Sequence, residues 1–440
     1  MSRSSRAPRS SFKLASALVG AAALIVLSAA CSSTSSSGGS NGTGSTTTPG
    51  STPGSSPGST PGTVLGQNPA LNSFYQPPSP LPPGQPGDII RSQPLAGAPA
   101  GSQGWLVLYH SQGFNNEDIA VSGMIFAPTG AAPSGGRPVV SWAHPTTGVA
   151  DQCAPSSLST GPALVAGLAG FLSAGYVVAA TDYEGLGTPG IHPYLIGISE
   201  GRGVLDAARA AKNLTETGAN STVFTWGHSQ GGQASLFAGQ LAPTYAPDLQ
   251  LKGVAAAAPA GDLAQQFQDD LTTQDGIILG GWAMNAYYQL YSPTTPGMDL
   301  NQMITPAGQT ALGQFEDLCN IIPEQDAQIT SIITPVTNTF WATSNPGAVP
   351  PWTQLLQQNT PGAVKTPAPI FIAQDTGDIV VVPATTTALA QSLCTLGNTV
   401  DLKSYPGLSH DVIGYESAPD ALAWMQSIAG GQPAPTTCSS

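Results

Sequence analysis

The sequence predicts an α/β fold in which a mainly parallel sheet is covered by flanking helices. From about residue 100, short apolar runs alternate with longer segments of helical periodicity, which is typical of this class. Within Ile198–Leu214, the residues Val204, Ala207, Ala208 and Ala211 repeat at the i, i+3, i+4 and i+7 positions of one helical face. That apolar face predicts a helix that lies on a sheet.

The expected strands are short and apolar, and they run from residue 105 to residue 405. They are Trp105–Tyr109, Ile119–Ala127, Val139–Trp142, Tyr176–Ala180, Val223–Trp226, Gly253–Ala258, Ile370–Ala373 and Val400–Tyr405. The expected helices are Gly161–Ala174, Ile198–Leu214, Gln230–Leu241, Thr385–Leu396 and Ala418–Ala429.

The regular alternation stops between residue 260 and about residue 366. This stretch mixes aromatic residues and Met, such as Trp282, Met284 and Tyr287, with several Pro and Gly residues. A segment of this length between two strands is too long for a simple loop. We therefore expect an inserted helical cap over an active site, within a folded domain that spans residues 64–440. The alternative for the aromatic residues is that they form the core of the cap itself.

The first 30 residues predict an export signal. Arg3, Arg6, Arg9 and Lys13 precede an apolar run over residues 14–30, and no acidic residue accompanies them. The run is shorter than the roughly 20 residues that a membrane-spanning helix needs, and no basic stop-transfer flank follows it. Residues 1–30 are therefore interpreted as a signal peptide.

The signal ends in a sequence that resembles a bacterial lipobox, in which the cysteine becomes the lipidated first residue of the mature protein. Residues 27–31 read Leu-Ser-Ala-Ala-Cys, and Ser28 departs from the more typical Leu. Lipidation of Cys31 would anchor the chain to the outer face of the membrane, and plain cleavage and release is the alternative. Residues 32–63 are Ser, Gly, Thr and Pro except for Asn41, a composition that predicts an unfolded tether over residues 31–63.

The charge balance of the chain argues against nucleic acid as a partner. Removal of the signal takes away four of the twelve basic residues and no acids, so the net charge moves from −13 to −17. Such an acidic chain repels phosphate backbones. Besides Cys31, four cysteines remain, namely Cys153, Cys319, Cys394 and Cys438. An even number in an exported chain suggests two disulfides, although the sequence alone allows three pairings.

The strongest chemical signal is the G-x-S-x-G pattern Gly227-His228-Ser229-Gln230-Gly231, which lies between an apolar strand and a helical pattern. This context is that of the nucleophile elbow of α/β-hydrolases, in which a sharp turn exposes a serine oxygen at the end of a strand. Ser229 is therefore the candidate nucleophile.

A nucleophilic serine needs a base, which in this fold follows it along the chain. Of the five histidines, only His410 lies after Ser229. His410 comes after the expected strand Val400–Tyr405, and we expect it in a loop before the last helix. His410 is therefore the candidate base.

The base in turn needs a carboxylate, and two aspartates follow the expected strand Ile370–Ala373. Asp378 is favoured because the acid of hydrolases typically lies between a turn and an apolar stretch that ends in Pro. Asp375 is then expected to cap the turn.

Acyl transfer also needs donors for the oxyanion of the tetrahedral intermediate. The backbone N–H of Gln230 is one candidate. The loop that follows an early strand should provide the other, and we assign it to Thr146 because Pro145 has no N–H. His144 is expected to brace this loop.

The sequence also contains a G-x-G-x-x-G pattern over residues 185–190 that suggests dinucleotide binding. The true fingerprint opens a helix at once, whereas Pro189 and Pro193 keep this segment irregular. No cluster with metal-ligand spacing is present in the sequence. We therefore expect neither a nicotinamide nor any other cofactor, and no metal.

Taken together, these motifs resemble the secretory lipase family, that is, Candida antarctica lipase A-like enzymes and their actinobacterial branch. The resemblance runs from about Phe74 to the C-terminus. Besides the elbow, Asp378 and His410, it rests on the segments at residues 74–75, 141–144, 151–156 and 181–187. The family implies an α/β-hydrolase with a helical cap and a triad of Ser229, Asp378 and His410. It also implies the disulfides Cys153–Cys319, which would pin the cap to the sheet, and Cys394–Cys438.

The predicted function is that of an exported, monomeric serine hydrolase that cleaves lipid-like or other carboxylic esters through an acyl-enzyme. The chain departs from the family in two features. Pro145 has no N–H, which complicates the assignment of the second oxyanion donor, and the tether is long. Three alternatives stay open: an acyltransferase, a serine peptidase on the same fold, and a non-catalytic lipid-binding lipoprotein of the cell envelope.

Overall fold

The computed structural model describes residues 72–439. The predicted signal peptide, Cys31 and the tether lie outside these residues. Within them, the chain forms one nine-stranded sheet with the spatial order β1-β2-β3-β5-β4-β6-β7-β8-β9. The strands are β1 Ile89–Leu95, β2 Ser102–Gln112, β3 Asp118–Pro128, β4 Arg137–Ala143, β5 Val177–Thr181, β6 Ala219–His228, β7 Gln250–Ala257, β8 Ile370–Asp375 and β9 Val400–Tyr405.

The sheet has an antiparallel end and a longer parallel part. β1, β2, β3 and β5 pair antiparallel in that order, and every pair from β5 through β4 to β9 is parallel. The α-helices of the described chain are α1 Leu168–Ser173, α2 Gly197–Asn213, α3 Gln230–Tyr245, α4 Leu263–Asp270, α5 Gln274–Tyr291, α6 Pro306–Phe315, α7 Pro323–Ile333, α8 Trp352–Gln358, α9 Pro383–Thr395 and α10 His410–Ala429. The predicted α/β fold, with its mainly parallel sheet and flanking helices, is confirmed.

Successive residues of the buried strands face opposite sides of the sheet, so each strand supports two layers of helices. Val139 packs in the core beneath α2 and α3, whereas its neighbour Val140 packs in the core beneath α1 and α10. This two-sided burial explains why the central strands read as continuous apolar runs.

The observed elements differ from the sequence-based expectations in three places. β1 was not predicted, because this edge strand is half exposed and includes Pro94, so it shows no apolar alternation. The helix expected at residues 161–174 is a 3₁₀ turn followed by the short α1, because the chain breaks at Gly167 with a φ of +81°. α10 begins at His410, eight residues before the expected start, and Pro419 lies inside it.

Five helices, α4–α8, lie between β7 and β8 and form the helical cap. Their aromatic residues pack into a core of their own, in which Trp282, Tyr287 and Phe340 are fully buried. The segment Tyr194–Ile196 packs into the same core, and it directly precedes α2. The alternative interpretation, in which the aromatic residues form the interior of the cap, is therefore the correct one for these residues.

Two disulfides link distant parts of the chain. Cys153, in the segment after β4, is bonded to Cys319 in the cap, and Cys394 at the end of α9 is bonded to Cys438. The first bond ties the cap to the sheet, and the second holds the C-terminal segment against α9. None of the helices within residues 72–439 has the length and apolar character needed to cross a bilayer.

Candidate active site

Ser229 lies at a sharp turn between the end of β6 and the start of α3. Its backbone has φ 57° and ψ −118°, a conformation that non-glycine residues rarely adopt. The turn is held by a close backbone approach, since a Cβ atom at Gly231 would lie 2.0 Å from the carbonyl oxygen of Ala143 at the end of β4. The sequence therefore dictates a strained turn that presents the serine side chain at the carboxyl edge of the sheet.

Three predicted site residues form one hydrogen-bonded chain at this edge. Ser229 Oγ lies 2.9 Å from His410 Nε2, and His410 Nδ1 lies 2.8 Å from Asp378 Oδ2. A carboxylate can only accept, so Nδ1–H donates to Asp378, and Nε2 of the neutral ring accepts the serine hydroxyl proton. The imidazole is thus in the tautomer that can take a proton from Ser229.

Asp378 is held as a carboxylate by the groups around it. Burial alone would raise the pKa of Asp378, but the hydrogen bond from His410 and those from the backbone N–H groups of Val381 and Val380 outweigh burial and lower the pKa. Asp375 accepts instead from the N–H groups of Gly377 and Leu408 and so caps the turn. The structure places Asp378, and not Asp375, beside His410.

His410 is the first residue of α10 and does not lie in a loop, contrary to the sequence-based expectation. The helix begins three residues after Gly407. The residues around this start show no strong apolar periodicity, and the sequence therefore did not indicate it. The ring of His410 packs against the ring of His228 at 4.9 Å between centroids. Burial and the nearby His410 lower the pKa of His228 to about 3, so this neighbour stays neutral.

The two candidate oxyanion donors are placed on neighbouring segments. Neither the backbone N–H of Gln230 nor that of Thr146 has an acceptor among residues 72–439. The close approach of Gly231 to Ala143 packs the start of α3 against the segment that carries Thr146. The Thr146 hydroxyl is hydrogen-bonded at 2.7 Å to the Tyr194 hydroxyl, and either of the two can be the donor.

His144 lies beside this segment and serves as a brace. Its Nδ1 lies 2.7 Å from the carbonyl oxygen of Pro145, and its buried ring packs on Tyr183 at 4.4 Å between centroids. Burial lowers the pKa of His144 to about 4, so the ring is neutral. Cys153 also backs the segment, since a Cβ atom at Gly148 would lie 2.5 Å from its Sγ.

Sequence reasoning missed a buried polar network behind Gln230. Gln230 Nε2 donates to Glu200 Oε1 at 2.8 Å and lies 3.0 Å from His192 Nε2. Burial raises the pKa of the Glu200 carboxyl to about 8. The signal was available in the sequence, because Glu200 lies four residues before Val204 and therefore falls on the apolar face of α2.

Acidic groups lie near the site on the cap side. Burial, together with Asp269, Asp275 and Asp378, raises the pKa of Asp270 to about 7. Burial and the nearby Asp411 also raise the pKa of Asp275, a carboxyl that interacts with His410. No group of three or more His, Cys, Asp or Glu side chains within the described part of the chain is arranged to hold a metal ion.

Comparison with known proteins places this chain in a family. The model of the secretory lipase family matches residues 156–436. A secreted triacylglycerol lipase of Malassezia globosa is 26% identical in an alignment of 391 positions that covers 83% of this chain and 81% of that protein. A probable inactive lipase of Mycobacterium tuberculosis is 28% identical in an alignment of 229 positions that covers 48% of this chain and 50% of that protein.

Solved structures show the same fold. Candida antarctica lipase A superposes with a TM-score of 0.68 at 21% identity, over 83% of this chain and 87% of that chain. A mutant of a rice cell wall degrading esterase from Xanthomonas oryzae superposes with a TM-score of 0.65 at 20% identity, over 80% of this chain and 100% of that chain. The family match spans more than half of the sequence, and the chain therefore belongs to the secretory lipase family of carboxylic ester hydrolases.

Proposed function

We propose that this chain hydrolyses acyl esters through a Ser229-His410-Asp378 triad and an acyl-enzyme intermediate. The observation that carries the proposal is the continuous hydrogen-bonded chain from Ser229 Oγ through both ring nitrogens of His410 to Asp378. It begins at a serine in the strained conformation of a nucleophile elbow.

In the proposed mechanism, Ser229 Oγ attacks the ester carbonyl carbon while His410 Nε2 takes the serine proton. The carbonyl oxygen becomes an oxyanion, which the N–H groups of Gln230 and Thr146 stabilise. Collapse of the intermediate breaks the bond to the alcohol, which leaves with the proton from His410. Water then repeats the sequence on the acyl-enzyme and releases the carboxylic acid, while Asp378 keeps the ring oriented.

Neutral esters fit the surroundings of the site better than anionic ones. The buried carboxyl of Asp270 interacts with Asp378, and the exposed carboxyl of Asp275 interacts with His410, so a negatively charged substrate group would meet repulsion there. The relative from Malassezia globosa is named a triacylglycerol lipase, and triacylglycerols are uncharged. We infer that the substrate class is neutral, lipid-like acyl esters.

Export follows from membership of a secretory family, and we propose that the exported chain is a monomer anchored through a lipid on Cys31. The support is the lipobox-like sequence and the tether composition of residues 32–63. Expression of the full chain and of Cys31→Ser, followed by membrane fractionation, tests the anchor. Wild type should partition with membranes and the variant should be soluble, whereas equal partitioning would contradict lipidation.

The decisive experiment measures hydrolysis of p-nitrophenyl esters, from acetate to palmitate, by the chain without its signal peptide. Ser229→Ala should abolish turnover at every chain length, while a competing alcohol should not divert the acyl group into a new ester. Because one relative is named a probable inactive lipase, activity has to be measured directly. Absence of turnover in wild type would contradict the proposal, and preferential ester formation would identify an acyltransferase.

A further inference from the structure

The side chain of Gln230 is tied into the protein interior although only its backbone takes part in the proposed reaction. We propose that Glu200 and His192 are positioning residues that clamp Gln230 and so fix the N–H group that receives the oxyanion. This inference rests on the proposed function, which it deepens by assigning the support behind the oxyanion donor.

The hydrogen bonds of the Gln230 amide are mutually consistent. His192 Nδ1 lies 2.8 Å from the carbonyl oxygen of Glu184, which can only accept, so Nδ1 carries the ring proton. His192 Nε2 is then an acceptor, and burial keeps the ring neutral by lowering its pKa to about 3. Gln230 Nε2 therefore donates one hydrogen to His192 and the other to Glu200 Oε1.

Glu200 is itself held in place from two directions. It lies in the first turn of α2, is fully buried, and accepts from the backbone N–H of Leu195 at 2.8 Å as well as from Gln230. Its other oxygen, Oε2, has no hydrogen-bond partner among the described residues. The carboxyl thus joins three segments, namely the loop before α2, α2 itself and the start of α3.

The groups that face Glu200 are all neutral. They are the buried hydroxyl groups of Tyr183 after β5, Tyr194 before α2 and Tyr287 in α5, together with the Gln230 amide on α3 and, beyond it, the neutral ring of His192. Burial raises the pKa of Glu200 to about 8, so the carboxyl is uncharged at neutral pH. Above that pH the Glu200 carboxyl ionises. Its negative charge then contacts the side chain of Gln230, the residue whose N–H receives the developing oxyanion, and such a charge opposes the reaction.

A clamp of this kind matters because oxyanion donors act only when they are held in place before the reaction. Gln230 follows a residue with strained backbone angles and begins a helix, and its N–H has no acceptor in the described chain. The carbonyl oxygen of the same peptide group, that of Ser229, accepts from the backbone N–H groups of Gln233 and Ala260. The side-chain hydrogen bonds of Gln230 add a further restraint on the side of the N–H.

The test compares Glu200→Ala, Glu200→Gln and a control, Asp206→Asn, on the chain without its signal peptide. Asp206 is a fully buried carboxyl on the same helix, but it contacts Ser111, Tyr245 and Arg209 and not Gln230. Two readouts are needed: kcat and KM per active site, counted with a fluorophosphonate, and hydrogen exchange of the peptide that starts at Ser229.

We expect Glu200→Ala to lower kcat about tenfold or more, with KM changed less than about twofold, because the transition state depends on the donor. Backbone amide hydrogen exchange at the start of α3 should become faster in this variant. Glu200→Gln keeps an acceptor oxygen, so it should retain kcat at pH 7 within about threefold and lose the decline of activity above about pH 8. Asp206→Asn should alter neither readout.

The inference is overturned if Glu200→Ala keeps the wild-type kcat and exchange rate, or changes them no more than Asp206→Asn does. Failure of the proposed function looks different. In that case wild type turns over no ester, while faster exchange at the start of α3 in Glu200→Ala still shows that the clamp exists.

Discussion

The two sides of Ser229 differ in charge. On the base side, Asp378 is a carboxylate that receives hydrogen bonds from His410, from two backbone N–H groups and from Gln374. On the opposite side, the Gln230 side chain contacts the neutral ring of His192 and the Glu200 carboxyl, whose pKa is raised. One polypeptide thus lowers the pKa of one buried acid and raises that of another on the two sides of the same serine.

The difference follows from what each side has to stabilise. The base side faces a ring that becomes positively charged, and a fixed carboxylate stabilises that charge. The other side faces an oxyanion, so a neutral environment with free N–H donors is required. Burial favours the neutral form of both acids. At Asp378 the hydrogen bonds and the interaction with His410 outweigh burial, whereas at Glu200 the hydrogen bonds from Gln230 and Leu195 do not.

Removal of the charge on the base side should have the largest effect. We expect Asp378→Asn to lower kcat about 10⁴-fold, because an amide no longer selects the His410 tautomer that accepts the serine proton. Steady-state kinetics at pH 7 measure the loss. Asp375→Asn is the control and should cost less than about tenfold, since Asp375 binds only backbone N–H groups. Equal losses would contradict the assignment of the acid.

Removal of the Cys153–Cys319 disulfide, which packs against the segment that carries Thr146, should affect both activity and stability. The Cys153→Ala/Cys319→Ala variant should lose about 5 kcal/mol of the free energy of unfolding by the chain-entropy estimate for a separation of 166 residues. Its kcat should also fall about tenfold, because Gly148 packs on the Cys153 sulfur and belongs to the same loop as Thr146, the proposed second oxyanion donor.

The matched control is Cys394→Ala/Cys438→Ala, whose separation of 44 residues predicts a loss of about 4 kcal/mol. Urea unfolding and kinetics well below the unfolding temperature separate the two variants. If both lower kcat to the same extent, the first disulfide has no particular role at the site.

The raised pKa of Glu200 predicts a pH-dependent loss of stability. Between about pH 4.5 and pH 8 the unfolded chain has lost the Glu200 proton and the folded chain keeps it, so the folded state becomes less stable as the pH rises through this window. Glu200→Gln removes this dependence, and its stability relative to wild type should increase by up to about 5 kcal/mol from pH 4.5 to pH 8. Urea unfolding at both pH values measures the change, and a constant difference would refute it.

The smallest effect is expected at Thr146. If its backbone N–H is the donor, Thr146→Val should lower kcat less than about threefold, because the variant removes only the hydroxyl that contacts Tyr194. A loss of about a hundredfold would assign the hydroxyl as the donor instead. Thr147→Val, at a neighbouring buried hydroxyl with no partner in the described chain, is the control.

The central part of the fold was predictable because the strands under two helical layers are continuous apolar runs. β4 to β8 were expected near their observed positions for that reason. β9 is a partly exposed edge strand, and its alternating apolar residues Val400 and Leu402 indicated its position. β1 was missed because an edge strand is half exposed, and its residues need not alternate. The early start of α10 was missed because its first turn carries polar and exposed residues.

The meeting of Ser229, His410 and Asp378 was foreseeable from chain order, because this fold constrains where each residue falls. Their catalytic roles stay predictions until they are measured. The clamp was not foreseen, since Glu200, His192 and Gln230 come from separate segments that only tertiary packing brings together. A charged residue on an apolar helical face was the single sequence signal, and it marks a buried carboxyl without naming its partner.

The cap enters and leaves the sheet at adjacent points, which makes it a module that can be exchanged. β7 and β8 are hydrogen-bonded neighbours, with Val254 opposite Ile370, and the whole insertion lies between them. Caps of different length can therefore be grafted between relatives without a shift in strand register. A transplanted cap needs a cysteine to meet Cys153 and a side chain that replaces the Asn359 amide, whose oxygen accepts from the backbone N–H of Gly197. It also needs a backbone carbonyl at that position, which accepts from the Gln233 side chain.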